Sequence, residues 1–102
     1  MELPLLPEHF DAPLGRVDVV VRHFDGPDHG DYGQWLESAR TIELNESMSE
    51  QQQWIALFHE QTHVALSDSG VDEVLTEEMV EAICDAIATA RFREQFFTST
   101  PK

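Results

Sequence analysis

The chain has 102 residues, of which 41% are hydrophobic, and 20 acidic side chains outnumber the 6 Lys and Arg to give a formal net charge of −14 at pH 7. This length predicts one domain over residues 1–102 with a modest core, and the acidic excess argues against a nucleic acid partner while allowing a basic partner or substrate. No apolar run approaches the ~20 residues that cross a bilayer, no signal peptide is evident and there is a single cysteine, so we expect a cytoplasmic protein without a membrane partner.

The N-terminal part predicts an irregular arm followed by a strand. Residues 1–15 contain three of the five prolines and show no sustained periodicity, so we expect an arm in which a turn of helix at 8–10 is one option. Residues 16–24 are rich in β-branched side chains and predict the first strand. Residues 25–31 are dense in Asp, Gly and Pro and predict an exposed loop.

Two further strands are predicted at residues 32–37 and 40–44, with Ser38 and Ala39 as the turn of a hairpin. The strand at 40–44 is a candidate sheet edge, along which an extended peptide could add as another strand. In the simpler interpretation, it is only an exposed edge guarded by charge.

The first predicted helix spans about residues 48–69. Ser47 and Glu50 have the spacing of a capping box, Ser49 is an alternative cap, and the run from Ser67 to Gly70 supplies a stop. The helix is largely apolar in the part around residues 59–63, which implies a buried position. The residues at helical spacing are Ile55, Phe58, Thr62, Ala65 and Leu66, flanked by Trp54, Leu57 and Val64.

A second helix is predicted from a cap at Thr76 to about residue 96, followed by a frayed tail at 98–102. The expected fold is therefore α+β, with a small antiparallel or mixed three-stranded sheet packed on two helices. The apolar stripe expected to face the core of the second helix consists of Met79, Ala82, Ile83, Ala86, Ile87 and Ala90.

The first helix carries the pattern His-Glu-x-x-His at His59, Glu60 and His63. Histidines four residues apart lie one turn above each other on a helix, so both imidazoles can bind one metal ion. This is the arrangement of zinc hydrolases, in which the glutamate takes a proton from a metal-bound water. The pattern predicts His59 and His63 as Zn²⁺ ligands and Glu60 as the catalytic base.

Catalytic zinc usually takes three protein ligands, and the second helix offers the third. Glu81 is the favoured ligand, with Glu77 and Glu78 as rivals one turn earlier, and Asp85 could hold a ligand histidine by its free ring nitrogen. Zinc suits two imidazoles and one carboxylate, though other divalent ions bind such sets. Cys84 is expected to be a small core residue and not a zinc ligand, because the interpretation places it about 100° away from Glu81 and Asp85 on the helix.

The motif helix followed by Glu81 and Asp85 resembles the gluzincin metallopeptidases. The order of strand, hairpin, motif helix and Glu-Ala helix over residues 16–96 is similar to the small ImmA/IrrE-type metallopeptidases and their phage-encoded relatives. The resemblance implies a minimal zincin-like fold, His59, His63 and Glu81 as zinc ligands, and a peptide or protein substrate. The sequence departs from the family pattern at residues 83–85, where those proteins commonly show Asn and then Phe-Ala. We do not expect these 102 residues to include the DNA-binding domain that often accompanies that family.

Other functions remain open at this point. The domain could bind zinc without activity and serve as an interaction or regulatory module, since 102 residues leave little surface for a deep specificity pocket. Hydrolysis of a non-peptide amide is a third hypothesis. His23, His29 and Tyr32 lie in or beside the 25–31 loop and could stabilise a tetrahedral intermediate, although each is expected to be uninvolved.

Overall fold

A four-stranded mixed sheet and two long helices make up the fold. The structure is a computed structural model that describes residues 3–24 and 32–97. It confirms the α+β class and the two predicted helices, and the sheet has one strand more than expected. The elements are β1 (His9–Ala12), β2 (Gly15–Arg22), β3 (Gly33–Leu36), β4 (Thr41–Asn45), α1 (Glu50–Ser69), a short 3₁₀ helix (Val71–Val74) and α2 (Glu77–Phe96).

The additional strand, β1, lies in the segment predicted to be an irregular arm. It pairs antiparallel with β2 in a register that sets Ala12 opposite Gly15, so no turn of helix forms at 8–10. Gly15 has φ 133, a backbone conformation that residues other than glycine rarely adopt. This conformation allows the chain to reverse between the two strands. The strand was missed because four residues between two prolines carry too little periodicity to be recognised.

The strand order is β1-β2-β4-β3, which makes β3 an edge of the described sheet and β4 an interior strand. β4 pairs parallel with β2 and antiparallel with β3. Our prediction that residues 40–44 form the edge was therefore wrong. Ile42 and Leu44 are fully buried, as befits an interior strand, and the edge nearest the motif helix is the first arm of the hairpin.

Helix α1 begins two residues later than the favoured cap implied. The Ser49 hydroxyl accepts a hydrogen bond from the Gln52 amide at 3.2 Å, and the Gln52 side chain accepts one from the Ser49 amide at 3.1 Å. Ser47 instead donates its amide and hydroxyl to the Asn45 side chain. The capping box is thus built on the alternative cap, and the predicted stop is confirmed by Gly70 with φ 79.

The core lies between the sheet, α1 and α2, and α2 faces it with a different stripe from the predicted one. Val80, Cys84, Ala88 and Phe92 are the buried residues of α2, whereas Met79 and Ile87 are 53% and 40% exposed. Two apolar stripes run side by side on this helix, and periodicity alone does not choose between them. The buried stripe presents small side chains at Cys84 and Ala88, which let α2 lie close to α1 in front of the motif.

The buried ion pair between Arg40 and Asp68 joins the β3-β4 turn to the end of α1. The guanidinium donates to both carboxylate oxygens at 2.7 and 3.0 Å, and the Leu14 amide donates to the same carboxylate at 3.1 Å. The Asp68 side chain is only 2% exposed. Hydrogen bonding from Arg40 is the main cause that holds the pKa of Asp68 below its ordinary value of 3.8, against the opposing effect of burial.

We predict that Asp68→Asn lowers the thermal midpoint by several degrees near pH 7. Because the pKa of Asp68 is lower in the folded than in the unfolded chain, its stabilising contribution is complete above about pH 3.8 and is lost as the pH falls further. The difference between wild type and variant should therefore narrow in acid. Melting curves followed by circular dichroism across this range measure it, with the exposed Asp11→Asn as control. A difference that does not depend on pH would contradict this assignment.

Among the described residues, no helix is both long and apolar enough to cross a membrane. The predicted exposed loop at 25–31 and the predicted frayed tail at 98–102 lie outside the described residues.

Candidate metal centre

Helix α1 presents the two motif histidines to α2. Their spacing of four residues places the rings one above the other, with centroids 4.9 Å apart. The side chains are 18% and 22% exposed for His59 and His63, so each ring is held by its surroundings while one edge reaches solvent. Two partly buried imidazoles one helical turn apart can both donate to one metal ion.

Glu81 on α2 contacts both imidazoles. One carboxylate oxygen lies 3.3 Å from His59 Nε2, and the other lies 2.8 Å from His63 Nε2. The side chain is 53% exposed and approaches from the solvent side. The carboxylate thus bridges the two Nε2 atoms, one oxygen to each, and ring nitrogens are the atoms through which histidines bind metal.

Asp85, one turn after Glu81, occupies the other side of His59. Its Oδ1 lies 2.9 Å from His59 Nδ1. The contact places a carboxylate beside the ring nitrogen of His59 that does not face Glu81. Asp85 therefore contacts the histidine that the sequence predicted it could hold.

Glu60 is the buried acid of the motif. It is 7% exposed, and its side chain lies beneath β3, where Gly33 passes over it. A Cβ on Gly33 would lie 3.0 Å from the Glu43 carbonyl oxygen and 3.6 Å from Glu60 Cγ, so only glycine allows this close approach without displacing the strand. The edge strand and the motif glutamate consequently line the same cleft.

Three neighbouring cavities open around these residues. The first, of about 330 Å³, has an apolar part at Ile55 and Ala56 and is bordered by the exposed Tyr32. The second, of about 380 Å³, lies between β3 and Glu81. The third, of about 390 Å³, continues past His63 to Asp72 and Glu77. Since His59 and Glu60 line the first two and His63 and Glu81 line the last two, they follow one another along a groove that crosses the centre.

The sequence interpretation excluded Cys84 from the metal site on the basis of its angular position on the helix. The structure places its sulfur closer to the motif histidines than that interpretation implied. It is fully buried, as expected of a core residue. Its Sγ nevertheless lies within 4.8 Å of a ring nitrogen of both His59 and His63. Burial first, and then the charges of Glu81, Glu60 and Asp85, raise the pKa of the thiol to about 12, so without a cation nearby it stays protonated.

Two groups of three possible donors therefore meet at His59. His59, His63 and Cys84 form the inner group, and His59, Glu81 and Asp85 form the outer one. Nitrogen, sulfur and carboxylate donors in this combination fit a borderline ion such as Zn²⁺.

The other candidates lie less centrally. Glu78 is exposed on α2 and is not among the residues that line the three cavities, while Glu77 lines only the third. His23 lies 3.8 Å from Glu46, away from the groove. Tyr32 borders the first cavity, and His29 lies outside the described residues.

Comparison with known proteins agrees with this geometry. A family model of the M78 peptidases, described as the IrrE N-terminal-like domain, matches residues 14–95. Searches of curated proteins and of solved structures found no significant match. The matched span contains β2 to β4, α1 and nearly all of α2, and therefore every residue of the centre.

Proposed function

Since this chain belongs to the IrrE N-terminal-like domain family of peptidases, we propose that it is a zinc-dependent metallopeptidase that hydrolyses peptide bonds. In this proposal His59, His63 and Glu81 hold the ion, and Glu60 is the general base. The observation that carries the proposal is the position of the Glu81 carboxylate, whose two oxygens meet the Nε2 atoms of both motif histidines.

The donor set supports zinc as the ion. Two neutral imidazoles and one carboxylate are a usual ligand set of catalytic zinc sites, and they leave a position open. Zinc held there supplies a Lewis acid that polarises the scissile carbonyl and makes a water molecule more acidic. In this proposal Asp85 orients His59 through its Oδ1, which lies 2.9 Å from Nδ1.

Glu60 performs the proton transfers in the proposed reaction. Its carboxylate accepts a proton from the attacking water and then delivers it to the nitrogen of the leaving amine. Burial at 7% exposure beneath Gly33 fixes the side chain and keeps bulk water from competing for this proton. Glu60 lines the same cavities as His59, which supports a role beside the metal.

The edge strand β3 supports an extended peptide as the substrate. β3 is the terminal strand in the sheet order, and Gly33, Gln34 and Trp35 line the cavity that also contains the two histidines. A peptide added alongside β3 would form backbone hydrogen bonds and place its backbone over the metal centre. We therefore assign to β3 the peptide-binding edge that was expected at residues 40–44.

A second candidate function is a zinc-binding module that lacks hydrolytic activity and acts by docking a partner. The observation that favours it is the proximity of Cys84 to both histidines, because four protein donors leave zinc without an open position. Partners in that case bind without being cleaved.

A peptide library tests the proposed activity. Wild-type protein loaded with zinc is incubated with a mixture of peptides of varied sequence, and products are identified by mass spectrometry. We expect cleavage that stops when a chelator removes the ion and returns when zinc is restored. Protein that binds zinc and cleaves no peptide in the library would favour the inactive module.

A further inference from the structure

We propose that Cys84 is a fourth metal-ligating residue, whose thiolate closes the zinc site in a resting state and is displaced when a substrate binds. This inference rests on the proposed zinc site and describes how that site is regulated. It assigns a role to the buried thiol, which the proposed reaction does not use.

The position of Cys84 on α2 carries the proposal. The residue is 0% exposed and belongs to the stripe that faces α1, so its side chain points between the helices and not towards solvent. Its Sγ lies within 4.8 Å of nitrogens of His59 and His63. Two donors bound to one tetrahedral zinc are about 3.5 Å apart, given the usual Zn–N and Zn–S bond lengths, so the group needs to contract by roughly 1 Å.

Glu81 and Cys84 approach the histidines from different sides. The Glu81 carboxylate is 53% exposed and comes from the solvent side, whereas the Cys84 sulfur comes from the core. Together with the two imidazoles, they would offer zinc four protein donors of the kinds that it binds. Closure of this kind leaves no position for water, and the ion then stabilises the helix pair without reacting.

The exchange between the closed and the open site transfers a proton and a metal ligand and involves no oxidation or reduction. On closing, the S–H bond of Cys84 breaks, a sulfur–metal bond forms and the proton passes to solvent. On opening, the sulfur–metal bond breaks, an oxygen of water or substrate takes its place and the sulfur recovers a proton. The charge of the ion favours the thiolate in the loaded protein.

Cobalt(II) provides the first test, because a thiolate bound to cobalt gives an intense charge-transfer absorption in the near ultraviolet that nitrogen and oxygen ligands do not. The chain has one cysteine, so such a band belongs to Cys84. We expect the band in the wild-type protein and its loss in Cys84→Ala and Cys84→Ser, with about one cobalt bound in each. The wild-type spectrum is informative even if one variant folds poorly.

Acetohydroxamate tests whether the site is closed, because it binds zinc through an open position. We expect it to bind Cys84→Ala at least about tenfold more tightly than wild type, since no thiolate has to be displaced. Cobalt bound by the wild type without the band, or equal binding of acetohydroxamate, would overturn the role of Cys84 and leave the proposed zinc site standing. Failure of every form to bind metal would overturn both.

Discussion

Glu60→Gln is expected to abolish peptide hydrolysis while leaving metal binding intact. Glutamine has nearly the same shape as glutamate but cannot accept the proton of the attacking water, and general base catalysis typically contributes about 10²- to 10⁴-fold. The buried position of Glu60 tolerates the amide sterically, because the substitution adds no bulk beneath Gly33. Initial rates on a peptide identified from the library, with zinc content determined on the same samples, measure the effect.

Glu94→Gln is a matched control, since Glu94 is exposed on α2 and lies outside the groove. It should retain the wild-type rate. A Glu60→Gln protein that keeps its zinc and hydrolyses peptide at the wild-type rate would remove Glu60 from the mechanism and end the proposed reaction.

His63→Ala is expected to eliminate the stabilisation that zinc gives the wild-type protein. An ion present at about 100 times its dissociation constant stabilises the folded state by roughly 2.7 kcal/mol. For a domain of this size, that shift raises the thermal midpoint by roughly 10 °C or more. His63 reaches Glu81 at 2.8 Å, so its loss removes one of the donors between the two helices.

His9→Ala controls for the loss of an imidazole elsewhere, because His9 lies on β1 and is exposed. Thermal melts of wild type and both variants, with and without zinc, provide the comparison. We expect a zinc-dependent rise for wild type and His9→Ala only. A rise of equal size in His63→Ala would show that zinc acts at another site.

The residues that meet at the centre could be predicted from local spacing. Two histidines four apart and an acid pair four apart each lie on one helix, and helical geometry fixes which members share a face. The contact of Asp85 with His59 followed from the same reasoning. The position of Cys84 was missed because the separation of about 100° holds for Asp85 but not for Glu81, which lies three residues earlier and only about 60° away on the helix. The packing of α2 on α1 decides which of its faces is buried, and that choice depends on both helices.

In the sheet, too, the strands could be predicted from local sequence, whereas their pairing could not. The segments that form β2, β3 and β4 were recognised from β-branched residues and alternation, which are local properties. The parallel pairing of β2 with β4 joins residues such as Val19 and Ile42, far apart in sequence, and nothing local distinguishes an interior strand from an edge. The assignment of β3 as the edge beside the groove therefore required the structure.

The zinc content of purified protein tests the central claim most directly. Elemental analysis is made on wild type, Glu81→Ala and Glu78→Ala, expressed without added metal and then again after zinc is supplied and excess removed. Glu78 is the matched control, because it lies on the same helix and is exposed away from the cavities. We predict about one zinc per chain in wild type and Glu78→Ala and a large loss in Glu81→Ala. Wild-type protein that contains no zinc and takes up none when it is supplied would contradict the metal centre.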